Sequence, residues 1–388
     1  MIKMTNKKLK VGNVPNLRFP GFEGEWETKK LGEVSSVSSG GTPSRANPLY
    51  WNGDIPWIST TLIDFNFIEK SEEYITQEGL ENSSAKLFPI GTLLMAMYGQ
   101  GKTRGKVAIL NIEATTNQAC GAIITDKEVL NPFFAFQNLV KRYDEIRDLS
   151  NQGSQENLSG GIIKGIEFTF PKLPEQIKIT SFLSLIDERI QTQNKIIEQL
   201  QTLIKGLCQE IFDNGKYQFS ILPLKSLCSI KKGKQINATE LAETGLYYVM
   251  NGGILPSGYH SEYNSEGDTI SISEGGNSCG YVQYNKIRFW SGGHCYTLNN
   301  IDNTITNRYL YYYLKANENK IMALRVGSGL PNIQKSTLEK FEVKIPRFTE
   351  QEKVVLTLDS FSNKLLVERK LIEMFQQQKR YLLQNLFI

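Results

Sequence analysis

Histidine and cysteine are scarce in this chain, and their scarcity removes whole classes of chemistry. Its 388 residues include two histidines and five cysteines. His260 and His294 stand apart, at no metal-ligand spacing and in no H-E-x-x-H or Ser/His/Asp arrangement. The cysteines, Cys120, Cys208, Cys228, Cys279 and Cys295, are odd in number and scattered, with no C-x-x-C pair. With no signal peptide, that usage favours a reducing, cytoplasmic compartment. No apolar run approaches the ~20 residues of a membrane helix, so no membrane is expected as a partner. Charge of one sign is lacking too. The 44 basic and 40 acidic residues leave a net +4, so a nucleic-acid binder of this composition must concentrate its positive charge locally.

Nucleotide and group-transfer signatures are missing as well. GQGKTRG (99–105) contains GKT, but a phosphate-binding loop needs glycine where Ala96 stands. NPFF (131–134) lacks the second proline of the amino-methyltransferase Asn-Pro-Pro-Phe, and E-V-K (342–344) lacks the upstream aspartate of a nuclease motif. General acid–base work would rest on lone carboxylates. The expectation is a binding protein with no catalytic residues and no metal site.

What the chain does carry is a long heptad helix, twice. Residues 175–212 place Ile179, Leu183, Ile186, Ile190, Ile197, Leu200, Ile204, Leu207 and Ile211 along one seam. The steps alternate four and three, and Gln193 is the one polar member. Such a helix would be roughly 55 Å long at ~1.5 Å per residue. Pro171 maps to Pro346 and Glu175-Gln176 to Glu350-Gln351, both at an offset of 175. The same offset carries the seam to Val354, Leu358, Phe361, Leu365, Ile372, Phe375, Leu382 and Leu386. Gln193 lands on Glu368, and Ile204 on Lys379, which breaks the seam once. Gln193 and Glu368 either set the register or face solvent where the helices meet the globules.

The segments before each helix repeat in the same order. PLKSLCSIKKGK matches KKLGEVSSVSSGG, EGDTISIS matches PIGTLLMAM, GGHCYTL matches NQACGAII, and NRYLYYYLKA matches PFFAFQNLVK. Strands are expected at 55–60, 93–99, 106–110 and 120–125, with a helix over 133–149 behind Asn131-Pro132. The fold class that follows is mixed α/β (α+β), with two tandem similar globular domains, each followed by a long helix. Each helix has one apolar stripe to cover, and the other copy is its obvious partner. They are expected to pair as an antiparallel coiled coil with pseudo-two-fold symmetry. The expected boundaries are a polar tail at 1–16, globules at 17–174 and 221–346, a linker at 213–220, and helices at 175–212 and 347–388.

Basic, amide and hydroxyl side chains collect in loops of the globules. Gln100, Lys102, Thr103, Arg104 and Lys106 interleave with glycines, and Asn117-Gln118 follow. The second copy offers Lys231, Lys232, Lys234 and Gln235, then Asn277, Ser278 and His294. Lysine and arginine suit phosphates or guanine, and Asn and Gln can bond adenine bidentately. Singly, each reads as a solvated loop residue. Together, similar frames with different loop residues suit reading two different short sequences.

Four features carry a resemblance: LRFPGFEGEW-x-x-KKLGE, GGTPSR followed by YWNGDIPWIST, GQGKTRGKVAI followed by NQAC, and the twice-used strand–Pro–x-x–(Pro/Thr)-Glu-Gln–helix junction. In that order they make residues 17–388 resemble the specificity subunits of type I DNA restriction–modification systems. The resemblance implies two target recognition domains, each reading half of a bipartite, asymmetric site on double-stranded DNA, with the helices fixing the gap. It adds Thr42, Ser44 and Arg45 of GGTPSR to the candidate DNA contacts. It implies two methyltransferase (M) subunits as partners, with restriction (R) subunits in the full complex. S-adenosylmethionine, ATP and Mg would belong to those partners, leaving this chain without a cofactor. The second copy departs from the pattern, with no GGTPSR and no tryptophan pair like Trp51 and Trp57. The competing expectation is a non-catalytic coiled-coil scaffold that assembles partners without reading bases.

Overall fold

A computed structural model of the chain describes residues 3–4, 12–99, 102–150, 157–213, 217–327, 329 and 331–388. It forms two compact units, one of Met1–Thr192 with Ile372–Ile388, the other of Gln193–Leu371.

In the first unit a five-stranded sheet runs in the order Ser35–Ser39, Cys120–Thr125, Leu93–Ala96, Val107–Leu110, Phe67–Ile68. Its inner strands are continuous apolar runs because both faces are covered. The period of two sorts them: Leu93, Met95, Val107, Ile109 and Ile123 enter one core, while Leu94, Ala96, Ala108, Leu110 and Ala122 enter another. The first core also takes Trp26, Phe134, Leu139, the long-helix residues Ile179, Leu183, Leu382 and Leu386, and Phe387 just beyond the C-terminal helix. A smaller sheet, Thr115–Thr116, Trp51–Ile58, Glu73–Ile75, stands beside it. The helix expected over 133–149 is two helices, Pro132–Lys141 and Tyr143–Asp148. Arg142 interrupts it, with its guanidinium held by Glu145 and by the carbonyl of Glu167. Of the expected polar tail, Lys3–Met4 pairs as a short strand with Leu17–Arg18.

The second unit repeats this order. Its main sheet runs Ser229–Lys232, Cys295–Asn299, Thr269–Ser273, Val282–Asn285, and its small sheet Tyr259–His260, Tyr247–Met250, Trp290–Ser291. Helix Asn307–Ala316, capped by Thr306, packs Tyr309, Leu310 and Tyr313 into a core shared with Ile211, Phe212, Val354 and Leu358 of the long helices.

The central helix is Leu173–Asp213 and the C-terminal helix Phe348–Leu386. In the first unit Asp187 meets Lys379 at 2.6 Å, and Arg189 lies 5.6 Å from the Phe375 ring. The numbering rises on one helix as it falls on the other, so the helices run antiparallel. Ile179, Leu183, Ile186, Leu200, Val354, Leu358 and Ile372 are buried, and Ile190, Ile197, Ile204, Phe361, Leu365 and Phe375 half-buried. Lys379, where the repeat breaks the seam, finds its acid in Asp187.

A glutamine ties each long helix to its globule. Gln176 Oε1 accepts from the Asn131 amide at 2.8 Å, and its Nε2 donates to the Val129 and Pro171 carbonyls, both at 2.8 Å. Gln351 repeats this with the Thr306 amide at 2.8 Å and the Thr304 and Pro346 carbonyls at 2.9 and 3.1 Å. Both glutamines are fully buried, so every bond replaces one that water would otherwise supply. Among the described residues no helix is long and apolar enough to cross a membrane.

Candidate nucleic-acid interface

The strand order brings three loops together at one end of each main sheet. In the first unit Ser39 pairs with Gly121, and Ala96 with Cys120, across antiparallel ladders. The loop after Ser39, the loop after Ala96 and the turn before Cys120 therefore emerge side by side. Backbone bonds join them: Gly41 N to Thr116 O at 2.8 Å, Met97 N to Ala119 O at 2.9 Å, and Asn117 N to Ile58 O at 3.0 Å. The second unit rebuilds this frame, with Lys234 N to Ser291 O at 2.9 Å, Glu274 N to His294 O at 2.9 Å, and Gly292 N to Met250 O at 2.8 Å. Gly40 and Gly233 permit the close approach. A Cβ on Gly40 would lie 2.0 Å from Thr116 O, and one on Gly233 2.2 Å from Gly292 O.

On these matched frames the side chains differ. In the first unit Thr42 Oγ1 donates to Gln118 Oε1 at 2.6 Å, which brings the GGTPSR loop to Asn117-Gln118. Arg45 lies over Trp51, 3.7 Å from its centroid, and 5.0 Å from that of Trp57. Glu73 clamps its guanidinium from the side. The hydrogen bond from Arg45 holds the Glu73 carboxyl below its usual range, against a smaller opposing effect of burial. Exposed Ser44 accepts the Trp51 indole N–H on its carbonyl at 3.2 Å. In the neighbouring loop Lys102 is exposed, Thr103 half-buried and Arg104 buried. Lys106 pairs with Asp64 at 2.5 Å. Gln100 lies outside the described residues.

In the second unit Lys231, Lys232, Lys234, Gln235, Asn277 and His294 are exposed, and Ser278 is half-buried. Lys231 and Lys232 are successive strand residues and point to opposite faces. Lys232 is held at 2.7 Å by Glu274, which also accepts from the Tyr296 hydroxyl at 2.9 Å. Lys234 approaches the Trp290 ring at 5.8 Å. His294 donates its amide to Asn251 Oδ1 at 3.1 Å.

Sequence reading missed Glu73, Glu274, Asn251 and the role of Trp290. Trp57 donates its indole N–H to Gly41 O at 3.0 Å, and Trp290 donates to the equivalent Lys234 O at 3.1 Å. The second unit thus fills the place of Trp57 from another strand, which no local motif could signal. The cysteines are poor nucleophiles. Burial pushes the Cys120 and Cys228 thiols up to about 12. Among the described residues no group of three or more His, Cys, Asp or Glu could hold a metal ion.

A family model described as the type I restriction modification DNA specificity domain matches residues 23–202 and 218–375. The chain is 30% identical over 217 residues to the type I restriction enzyme MjaIX specificity subunit of Methanocaldococcus jannaschii, covering 55% of this chain and 47% of that one. It is 31% identical over 170 residues to the EcoR124I/EcoR124II specificity subunit of Escherichia coli, covering 42% of each. These matches span about half the length of those relatives or less. A longer match, 22% identical, covers 96% of this chain and 93% of the putative type I restriction enzyme MjaX specificity subunit of M. jannaschii. The crystal structure of a type I restriction–modification S subunit from M. genitalium is similar in fold, with a TM-score of 0.70, 20% identity and 98% of each chain covered. With both repeats and most of its length matched, this chain belongs to the type I restriction modification DNA specificity domain family.

Proposed function

We propose that this chain is the DNA-recognition subunit of a type I restriction–modification complex, with target recognition domains at 17–174 and 221–346. The observation that carries this reading is the twice-built loop frame with unlike side chains. Thr42, Ser44, Arg45, Asn117 and Gln118 occupy it in the first unit, and Lys234, Gln235, Asn277 and His294 in the second. Shared backbone frames position each unit alike on a duplex. Different amide, hydroxyl and basic groups then select different base edges, which suits a bipartite, asymmetric site.

Chemistry belongs to the partners in this reading. Two methyltransferase subunits dock on the duplicated surfaces, because a repeated frame offers repeated docking sites. They bring S-adenosylmethionine and methylate adenine, and restriction subunits bring ATP, Mg and cleavage. The assembly works in the cytoplasm. The test is a genome-wide map of methylated adenines in cells holding the partner subunits, with and without this chain. A split motif that appears only with the chain is expected. Methylation unchanged by its omission overturns the proposal and leaves the scaffold reading.

A further inference from the structure

The loop at residues 251–258 joins Tyr247–Met250 to Tyr259–His260 in the small sheet of the second unit. Tyr247–Met250 runs parallel to Trp290–Ser291, so this loop and the turn leading to His294 emerge at the same end. Its base is fastened to the loop frame. Asn251 Oδ1 accepts the His294 amide at 3.1 Å, and Gly252 O accepts Ser273 Oγ at 2.6 Å. Gly252 has φ +87°, and a Cβ there would meet His294 at 3.0 Å. In the same loop, followed by Pro256, Ile254 and Leu255 are 54% and 76% exposed. In the first unit the residues at the same distance beyond Ile58, Leu62 and Ile63, are turned into a core, Ile63 buried and Leu62 packed against it.

We infer that Ile254 and Leu255 are specificity-determining residues that contact the 5-methyl group of a thymine in the half-site read by the second unit. The inference rests on the reading of these loops as a DNA-reading surface. The base of the loop is bonded to His294, and Gln235 and Asn277, also suited to polar base edges, belong to the neighbouring loops of the same frame. The apolar group that base pairs present in the major groove is the thymine methyl. Two exposed branched side chains on a fastened loop match it without forming a hydrogen bond, whereas Leu62 and Ile63 of the first unit are taken up by its core.

The experiment uses the full chain with its methyltransferase subunits on synthetic duplexes carrying the mapped site, with each thymine of the second half-site replaced in turn by deoxyuridine. One replacement should weaken binding by the wild type by about tenfold, the usual scale of one lost base contact. The variant Ile254→Ser/Leu255→Ser should bind the thymine duplex as weakly and be indifferent to that replacement. Ile254→Val/Leu255→Met, which keeps the apolar tip, should retain the preference. Wild-type binding indifferent to every deoxyuridine overturns the inference, as does a serine variant with unchanged preference. A serine variant that loses affinity while the wild type ignores the methyl marks a wedge between base steps instead, and also overturns it. A wild type with no site preference at all defeats the DNA-reading function itself.

Discussion

Gln193 Nε2 donates to Glu368 Oε2 at 2.5 Å and to the Glu368 carbonyl at 3.3 Å, joining the two long helices where both repeats are polar. Gln193 is 5% exposed, so this amide sits in the seam. A single polar pair costs stability against an apolar one and specifies alignment. Gln193→Leu should therefore cost about 1–3 kcal/mol, since it strands the Glu368 carboxylate against apolar surface. The double change Gln193→Leu/Glu368→Leu should be near neutral or stabilising. Urea denaturation of the two single variants and the double measures the coupling. Strictly additive single effects would mean the contact contributes nothing.

Gln176 and Gln351 make a sharper case. Each satisfies one amide and two carbonyls from full burial. Alanine at either position leaves those backbone groups without partners, an expected loss of about 2–5 kcal/mol. Hydrogen exchange should show Gln176→Ala loosening the first unit and Gln351→Ala the second. Exchange that rises equally in both units under either change would argue that the bonds are not local ties.

Alkaline pH should destabilise the second unit. Burial pushes the phenols of Tyr248, Tyr284 and Tyr311 up to about 12. Above an ordinary tyrosine value of about 10, the unfolded chain sheds protons that the folded chain keeps. Stability is thus intact below about pH 10 and falls as pH rises toward about 12. Tyrosinate absorbance followed during a pH titration should show a late-ionising group of tyrosines. Their ionisation near pH 10 in the folded protein would contradict the burial argument.

How much of this was legible beforehand depends on the range of each interaction. The heptad seam, the strand at Cys120–Thr125 and the offset of 175 are local or periodic, and side-chain spacing alone exposes them. The duplicated Glu-Gln was visible as a pattern, but the work of Gln176 depends on carbonyls at Val129 and Pro171. Gln193 stood open between seam and solvent, because a polar heptad residue looks the same in either place. Arg104 looked like its neighbours Lys102 and Lys106 in a glycine-rich loop, yet it is buried while Lys102 is exposed. Composition reports charge but not which way a turn points it.

Arg45 gives the most direct test of the proposed interface. It stacks on Trp51 and is clamped by Glu73, so its cation is oriented but partly neutralised. If the site binds phosphate, DNA must compete with Glu73 for the guanidinium. Glu73→Gln should then tighten DNA binding by about two- to fivefold at low salt, the scale of one modest surface ion pair. Arg45→Ala should weaken it and flatten the dependence of log K on log salt by about one unit. Neither change should cost more than about 1 kcal/mol of stability through the ion pair itself, because both partners are largely solvated. Arg45→Lys separates charge from shape, since lysine keeps the charge but loses the flat stack on Trp51. Restored salt dependence with weaker site preference would assign Arg45 to positioning as well as attraction. If Arg45→Ala changes thermal stability alone and leaves DNA affinity untouched, the cluster is a structural brace and the interface must be drawn without it.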